Sequence, residues 1–571
     1  MKVELAASLL WAATACVAPP ETLEPRVLER GMVVCEHELA AQVGRTVLEQ
    51  GGTAVDAAVA TALALAVVYP QAGNLGGGGF ALVVDAAGRA RCLDFRECAP
   101  AGASGARVFD AEGVRHPDWL LWSPHAVGVP GSPAGLALLL EECGSGRFTL
   151  AQLCAPAIDL AERGFAVDGE LHDDLCDKED RARLLRSAAA RERFYPRGAA
   201  LERGDVLVQR DLAQTLRRYA NEGAAGFYGG ATAASIVAEL ERAALALPEG
   251  SRVGWVTLDD LRGYRALWRE PLRAEFRARE VISMPPPSSG GIIVLQTLAL
   301  LERLAPSAKT FDAEYAHWAI EAWRRAFAER AAVMGDPGFV EVPVDELLSA
   351  RWLDRAHASM QDRATPEVQA SDLHEGSNTT HLSVVDAWGN AVALTTTLNS
   401  SFGSGMLVEG AGFLLNNELD DFALGDGLRN QFGLVGGAAN AIEPGKRPLS
   451  SMTPTVVRRA GRVELVLGSP GGPRIVTSVA QVLLRCLVFD EPLESAVRAP
   501  RLHQQWSPAE TWIERGWPAE FVSELRGRGH ELDERVQPFG RVQAIRVSPD
   551  GSVEGASDPR GGGAALGTRQ R

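Results

Sequence analysis

The stretch between residues 379 and 398 constrains this chain more than any other. Two runs, His381–Asp386 and Ala391–Leu398, are rich in β-branched and apolar residues and flank Ala387-Trp388-Gly389. Such runs read as strands. A three-residue loop with glycine last suits a type I turn closed by a left-handed residue. The pairing then follows by counting: Asp386 faces Asn390, and Thr379 faces Thr397. Directly opposed residues share one face of a sheet and lie within hydroxyl reach of each other. A nucleophile with a hydroxyl neighbour and an ordinary β-branched pair have the same spacing, so both readings stand at this point.

The rest of the chain bounds the setting. At roughly 100–200 residues per domain, length alone suggests about three domains, although large α/β folds run longer as one unit. With 46% hydrophobic and 23% charged residues, a sizeable core is expected. A net charge of -16 argues against nucleic acid, which needs a basic face, and against an anionic membrane surface. The eight cysteines form no C-x-x-C pair and do not cluster with histidine, so a zinc site is not expected. Buried free thiols are expected, with a Cys92–Cys98 disulfide as the alternative. Lys2, the apolar run Leu5–Ala15 and Ala13-Thr14-Ala15 predict an export leader over residues 1–18. Cys16 fits a lipoprotein box, and a cytosolic N-terminal helix is the competing reading. The apolar segment Ala54–Val68 contains Asp56 and reads as a buried helix rather than a membrane span.

Glu38–Gln50 and Thr53–Val68 are expected as two helices divided by Gly51-Gly52. Gly76 through Gly79 then open a hairpin, Phe80–Asp85 and Arg91–Phe95. The glycine run lacks the context of a dinucleotide or phosphate loop, so close backbone packing is its expected role. Leu150–Arg163, Asp211–Glu222 and Thr232–Leu247 read as helices. A rigid Pro/Ser/Gly loop, Met284–Gly291, precedes another helix starting near Ile292. Residues 361–378 are polar and are the expected exposed, cleavable segment. No G-x-S-x-G elbow accompanies His37 or His381, so a Ser-His-Asp site is not expected. His381 reads as a structural strand residue.

The motif from Asn378 to Asp386, followed by Gly389-Asn390-Ala391-Val392-Ala393, resembles the processing site of γ-glutamyltransferases. Further stretches carry the resemblance in order along almost the whole chain. They are Gly51–Ala58, Asp94-Phe95-Arg96-Glu97, Pro285–Gly291 and Leu414-Leu415-Asn416-Asn417. Arg447–Met452, Gly468-Ser469-Pro470-Gly471-Gly472 and Gly555–Arg560 complete the series. The resemblance implies a four-layer αββα sandwich of the N-terminal-nucleophile hydrolase type. It implies a precursor that cuts its own Asn378–Thr379 bond, giving a large fragment 19–378 and a small catalytic fragment 379–571 that stay together as a heterodimer. The latter has 571 − 378 = 193 residues.

Chemistry for each site residue follows from the resemblance. Thr379 would be the nucleophile and its freed α-amine the base, since such an amine has a pKa near ~8. Thr397 would orient the Thr379 oxygen. Gly471 and Gly472 would offer two backbone N–H groups to an oxyanion. Arg96 would grip the α-carboxylate of a γ-glutamyl group, helped by Ser450 and Ser451, although a structural pair with Glu97 is the alternative. Asp421 would hold the α-ammonium, with Glu418 and Asn399 assisting, while Asp420 is expected to be solvated. Residues Ala423–Val435 resemble a lid, and Phe432 stands where many bacterial members carry tyrosine. The expected donor is glutathione or a related compound, the acceptor water, an amino acid or a dipeptide. No metal or organic cofactor is implied. A glutaryl acylase acting on β-lactam side chains and a binding protein without turnover are the alternatives. Export to the periplasm or beyond, with a possible lipid anchor on Cys16, is the expected location.

Overall fold

The structure is a computed structural model that describes residues 31–569, except 111, 305–307, 366–378, 424–429 and 536–538. The expected leader with Cys16, Asn378, most of the expected cleavable segment and residues 424–429 of the expected lid lie outside the described residues.

Two antiparallel sheets face each other. The first has seven strands in the order Ala564–Gly567, Met32–Cys35, Thr379–Val385, Ala391–Thr397, Gly78–Val84, Ala90–Asp94 and Leu267–Arg269. The second has six: Val553–Ser557, Gln543–Val547, Arg462–Gly468, Thr455–Arg459, Arg279–Ser283 and Leu272–Phe276. Alternation along the central strands explains the layering. Leu382, Val384, Val392 and Leu394 pack against the helix Ala54–Val68. Val385, Ala391 and Ala393 point the other way, onto Val456 and Val466 of the second sheet. Helices Gly290–Leu304 and Arg474–Val488 cover the far face of that sheet. The result is helix, sheet, sheet, helix, as the resemblance implies.

Helix Ala54–Val68 is buried along its whole length, which accounts for a run of alanine, valine and leucine with no polar stripe. Its one acid is satisfied by the helix N-cap and by a residue 89 positions away. Asp56 Oδ2 accepts from the Thr53 N–H at 2.8 Å, and Oδ1 accepts from the Ser145 N–H at 3.2 Å. His381 lies between the sheets, bonded through Nδ1 to Thr395 Oγ1 (2.8 Å) and through Nε2 to Ser383 Oγ (3.1 Å). Burial pushes its pKa down to about 3, so it is a neutral packing residue, as expected. All seven cysteines in the described region are free thiols, including Cys92 and Cys98. No helix among the described residues is long and apolar enough to cross a membrane.

Candidate active site

The hairpin takes the register that counting gives. Thr379 pairs with Thr397 and Val385 with Ala391, and Gly389 closes the turn at φ +90°. The two threonine hydroxyls stand 3.2 Å apart. Thr397 Oγ1 also accepts from the Asn399 N–H at 2.9 Å. Behind it, Asn74 Nδ2 donates to the Thr397 carbonyl at 3.0 Å and to Thr396 Oγ1 at 3.1 Å. The glycine run explains how the next strand fits alongside: a Cβ on Gly77 would come within 2.0 Å of the Thr397 carbonyl oxygen, and one on Gly76 within 2.0 Å of that of Leu414.

A second element comes from the other sheet. Strand Arg462–Gly468 ends at Ser469-Pro470, and the chain turns through Gly471 (φ +128°) and Gly472 (φ +56°) before helix Arg474–Val488. These angles favour glycine. Among the described residues, neither glycine N–H donates to a protein acceptor. With the positive end of the helix beside them, they are suited to a developing oxyanion.

The third element is a buried charge cluster. Arg96 sits just past strand Ala90–Asp94 and is 1% exposed. One Nη contacts Glu418, the other Asp421 at 2.6 Å, and Glu97 Oε2 lies 3.7 Å away. Burial opposes the charge on Arg96, but Glu418 and Asp421 outweigh it and keep the guanidinium protonated. Burial pushes Glu97 up to about 7 and Glu418 well above the carboxylate range, with Arg96 opposing in both. Burial also raises Asp421, against Arg96 and Arg330. Three acids therefore share one arginine, so an incoming ammonium is welcome beside them. The Arg96–Glu97 alternative is part of this cluster rather than a rival to it.

Asp420 departs from expectation. The acidic run is a buried 3₁₀ turn, not a solvated face: Asp420 Oδ2 accepts from the Gln431 N–H at 3.0 Å, and burial pushes its pKa up to about 7.

The expected residues meet. Thr379, Thr397, Asn399, Arg96, Glu418 and Asp421 line one narrow cavity, together with Ser450, Ser451 and Gly472. Gly471 adjoins it. Ser450 is held by its backbone: its N–H donates to the Pro287 carbonyl, and its own carbonyl accepts from Ser289 N–H and Oγ, each at 2.8 Å. Phe432 forms part of the cavity wall. The described part of its loop is tied down without a phenol. Asn430 Nδ2 donates to Asp421 Oδ1 (2.9 Å), Ser400 Oγ to Gln431 Oε1 (2.7 Å), and Gln505 Nε2 to the Phe432 carbonyl (3.0 Å).

Sequence reasoning missed two supports. Asp94 is fully buried and braces Arg96 against the 447–451 loop. Its Oδ1 accepts from the Arg96 N–H (3.0 Å), and its Oδ2 from Arg269 Nε (2.6 Å) and Arg447 Nη1 (3.1 Å). Arg330 donates through Nε to Ser289 Oγ at 3.1 Å, and burial pulls its pKa down to about 10. Asp94 stands in a quoted motif, but nothing in its spacing marks it as a brace.

Known proteins resemble this chain over nearly its whole length. The family model described as Gamma-glutamyltranspeptidase matches residues 40–568. A glutathione hydrolase proenzyme from Escherichia coli (strain K12) is 40% identical over 569 residues, covering 97% of this chain and 96% of that protein. One from Pseudomonas aeruginosa is 41% identical over 548 residues, covering 94% and 95%. The crystal structure of cephalosporin acylase from Bacillus halodurans superposes with a TM-score of 0.84 at 27% identity, covering 99% of this chain and all of that one. The chain belongs to the gamma-glutamyltranspeptidase family.

Proposed function

We propose that this protein cuts its own Asn378–Thr379 bond and then uses Thr379 to move γ-glutamyl groups from glutathione or a similar donor to water, an amino acid or a dipeptide. The observation that carries the reading is the Thr379–Thr397 hydroxyl pair at 3.2 Å in the same cavity as Arg96, Asp421 and Gly472. In self-cleavage the Thr379 hydroxyl attacks the Asn378 carbonyl, the peptide C–N bond breaks, and water opens the ester. The freed α-amine can then take the hydroxyl proton in each turnover. Attack on the γ-carbonyl forms an oxyanion facing the Gly471 and Gly472 N–H groups. Collapse breaks the amide, the leaving amine takes the proton, and a γ-glutamyl ester of Thr379 remains for the acceptor.

The donor's α-carboxylate would bind Arg96 with the Ser450 and Ser451 hydroxyls, and its α-ammonium would bind Asp421 and Glu418. This requires the present Arg96–Asp421 contact to open as the zwitterion inserts. The surplus of acid around Arg96 favours a γ-glutamyl over a glutaryl group, which has no amine to meet it. An export leader over residues 1–18, with Cys16 as a lipid attachment point, belongs to the same proposal.

Denaturing mass analysis tests the reading. The wild type is expected as two fragments, the smaller of 571 − 378 = 193 residues, and Thr379→Ala as one chain. Residual turnover of a γ-glutamyl anilide by Thr379→Ala is expected to be lower by on the order of 10⁶, the scale of losing a nucleophile. Fragments in the alanine variant, or faster turnover of glutaryl than γ-glutamyl anilide by the wild type, would overturn it.

A further inference from the structure

One buried arginine is left with almost nothing to hold. Arg96, Arg324, Arg447, Arg485 and Arg501 each meet a carboxylate. Arg107 has none but donates through both Nη groups to carbonyls. Arg330 lies near the end of helix Ala313–Val333 and is 4% exposed. Among the described residues its side chain makes one hydrogen bond, from Nε to Ser289 Oγ at 3.1 Å, and no ion pair. A buried cation is costly unless paired, and a guanidinium with both Nη groups idle lacks most of that pairing until an anion arrives. Burial pulls its pKa down to about 10, with Asp421 opposing and Arg96 adding. Arg330 is therefore charged at neutral pH, and two residues of the Thr379 cavity act on it.

Two serines join Arg330 to that cavity. Ser289 Oγ takes the Arg330 N–H and gives its own proton to the Ser450 carbonyl at 2.8 Å, and the Ser289 N–H reaches the same carbonyl at 2.8 Å. Because Nε can only donate, it decides which way the Ser289 hydroxyl points. Hydrogen bonds in such a chain polarise one another. Ser450 Oγ in turn accepts from the Met452 N–H at 3.1 Å. Among the described residues neither Ser450 nor Ser451 gives its hydroxyl proton to the protein, and both line the cavity. The helix end that carries Arg330 is also tied to residues 437–440. The Gly437 N–H donates to the Ala331 carbonyl at 3.0 Å. Asn440 then holds both halves of the clamp: its Nδ2 donates to the Asp421 carbonyl at 2.6 Å, and its Oδ1 accepts from the Leu449 N–H at 3.0 Å.

We propose that Arg330 is a positioning residue that sets specificity for the donor's α-carboxylate: through Ser289 it fixes the serine pair, and its unpaired charge makes the serine side of the cavity the positive pole. Glu97, Glu418 and Asp421 make the opposite pole. Arg96 touches both, meeting the acids through its Nη groups and the serine loop through Nε to the Pro448 carbonyl at 3.3 Å. A zwitterion then enters one way round, carboxylate toward Ser450 and Ser451, ammonium toward Asp421. The inference rests on the reading that this cavity takes a γ-glutamyl donor.

The test compares two donors on processed enzyme: a γ-glutamyl anilide and a γ-aminobutyryl anilide, which differs only in lacking the α-carboxylate. The wild type is expected to favour the first. Arg330→Met leaves no acid unpaired. It is expected to raise KM for the γ-glutamyl donor about ten-fold, the scale of one charge-assisted bond, with kcat little changed and the γ-aminobutyryl donor turned over as before. Arg330→Lys restores the charge without Nε and is expected to recover part of the preference. Ser289→Ala breaks only the serine link and is expected to cost about three-fold. It decides the matter if Arg330→Met stays uncut or unfolded. A wild-type preference for the γ-glutamyl donor in the folded variants overturns the inference, as does an equal loss with both donors, which is what a merely structural residue would give. A wild type that does not favour the γ-glutamyl donor sinks the underlying reading instead.

Discussion

The hairpin and the charge cluster serve one cavity but are built by opposite means. The hairpin is local: Thr379 and Thr397 are 18 positions apart, and a three-residue turn fixes their meeting before any tertiary structure is considered. The cluster is assembled from far away. Arg96 meets Glu418 across 322 positions and Asp421 across 325, with Asp94 and Arg447 bracing it across 353. In the proposed reaction, short-range geometry sets the nucleophile and the completed fold sets what it is offered. Self-cleavage would then need the first region and donor binding both, so the two should come apart under mutation.

Arg96→Gln is the strongest way to break them apart. It removes two charge-assisted contacts from the donor carboxylate, at roughly 1.5–3 kcal/mol each, so kcat/KM for a γ-glutamyl anilide is expected to fall about 10³-fold. Self-cleavage is expected to run to completion, because Thr379 and Thr397 do not touch the guanidinium. Breaking a buried ion pair also costs about 3–5 kcal/mol of stability, so a melting curve must accompany the assay. Folded Arg96→Gln precursor that stays uncut would show that the two regions are one unit.

Thr397→Val cuts the other way and by less. The valine keeps the shape and deletes the hydroxyl that contacts Thr379 Oγ1 and takes the Asn399 N–H at 2.9 Å. Losing one buried hydrogen-bond partner costs about 1–3 kcal/mol, which corresponds to roughly 10- to 100-fold. Both the self-cleavage rate and the turnover of processed enzyme are expected to drop, with KM for the donor little changed. A variant that cleaves itself at the wild-type rate would reduce Thr397 to a packing residue.

The same contrast explains what was legible beforehand. The register of the hairpin, the buried helix Ala54–Val68 and the packing role of Gly76–Gly79 follow from turn length, uninterrupted apolar residues and the absence of a phosphate-loop pattern. The cavity residues of the cluster came from family resemblance, because no spacing rule joins Arg96 to Asp421. Asp420 was misjudged for a physical reason. Acidic runs are usually solvated, but here loop residues 430–431 cover the turn, and Gln431 supplies the N–H that lets a carboxyl stay buried. Asp94 was passed over because its partners, Arg269 and Arg447, arrive from two distant segments.

Acidity sharpens the comparison last and most gently. In the hairpin, His381 stays neutral across the ordinary range, since its pKa lies near 3. In the cluster, burial pushes Glu97 up to about 7, and it does the same to Asp420 next to Asp421. Raising the pH from about 6 to 8 takes protons from these acids and adds negative charge beside Asp421, so KM for an ammonium-bearing donor is expected to fall a few-fold. The same ionisation acts oppositely on stability. Glu97 has a folded-state pKa raised above its ordinary 4.5. Its contribution is therefore complete below about 4.5 and is lost as the pH climbs through about 7. The melting temperature of unliganded wild type, measured against Glu97→Gln, is expected to lose ground over that window while donor affinity gains. Parallel movement of the two curves would mean that the acids at Arg96 do not face the donor's ammonium, and that the cluster only holds the fold together.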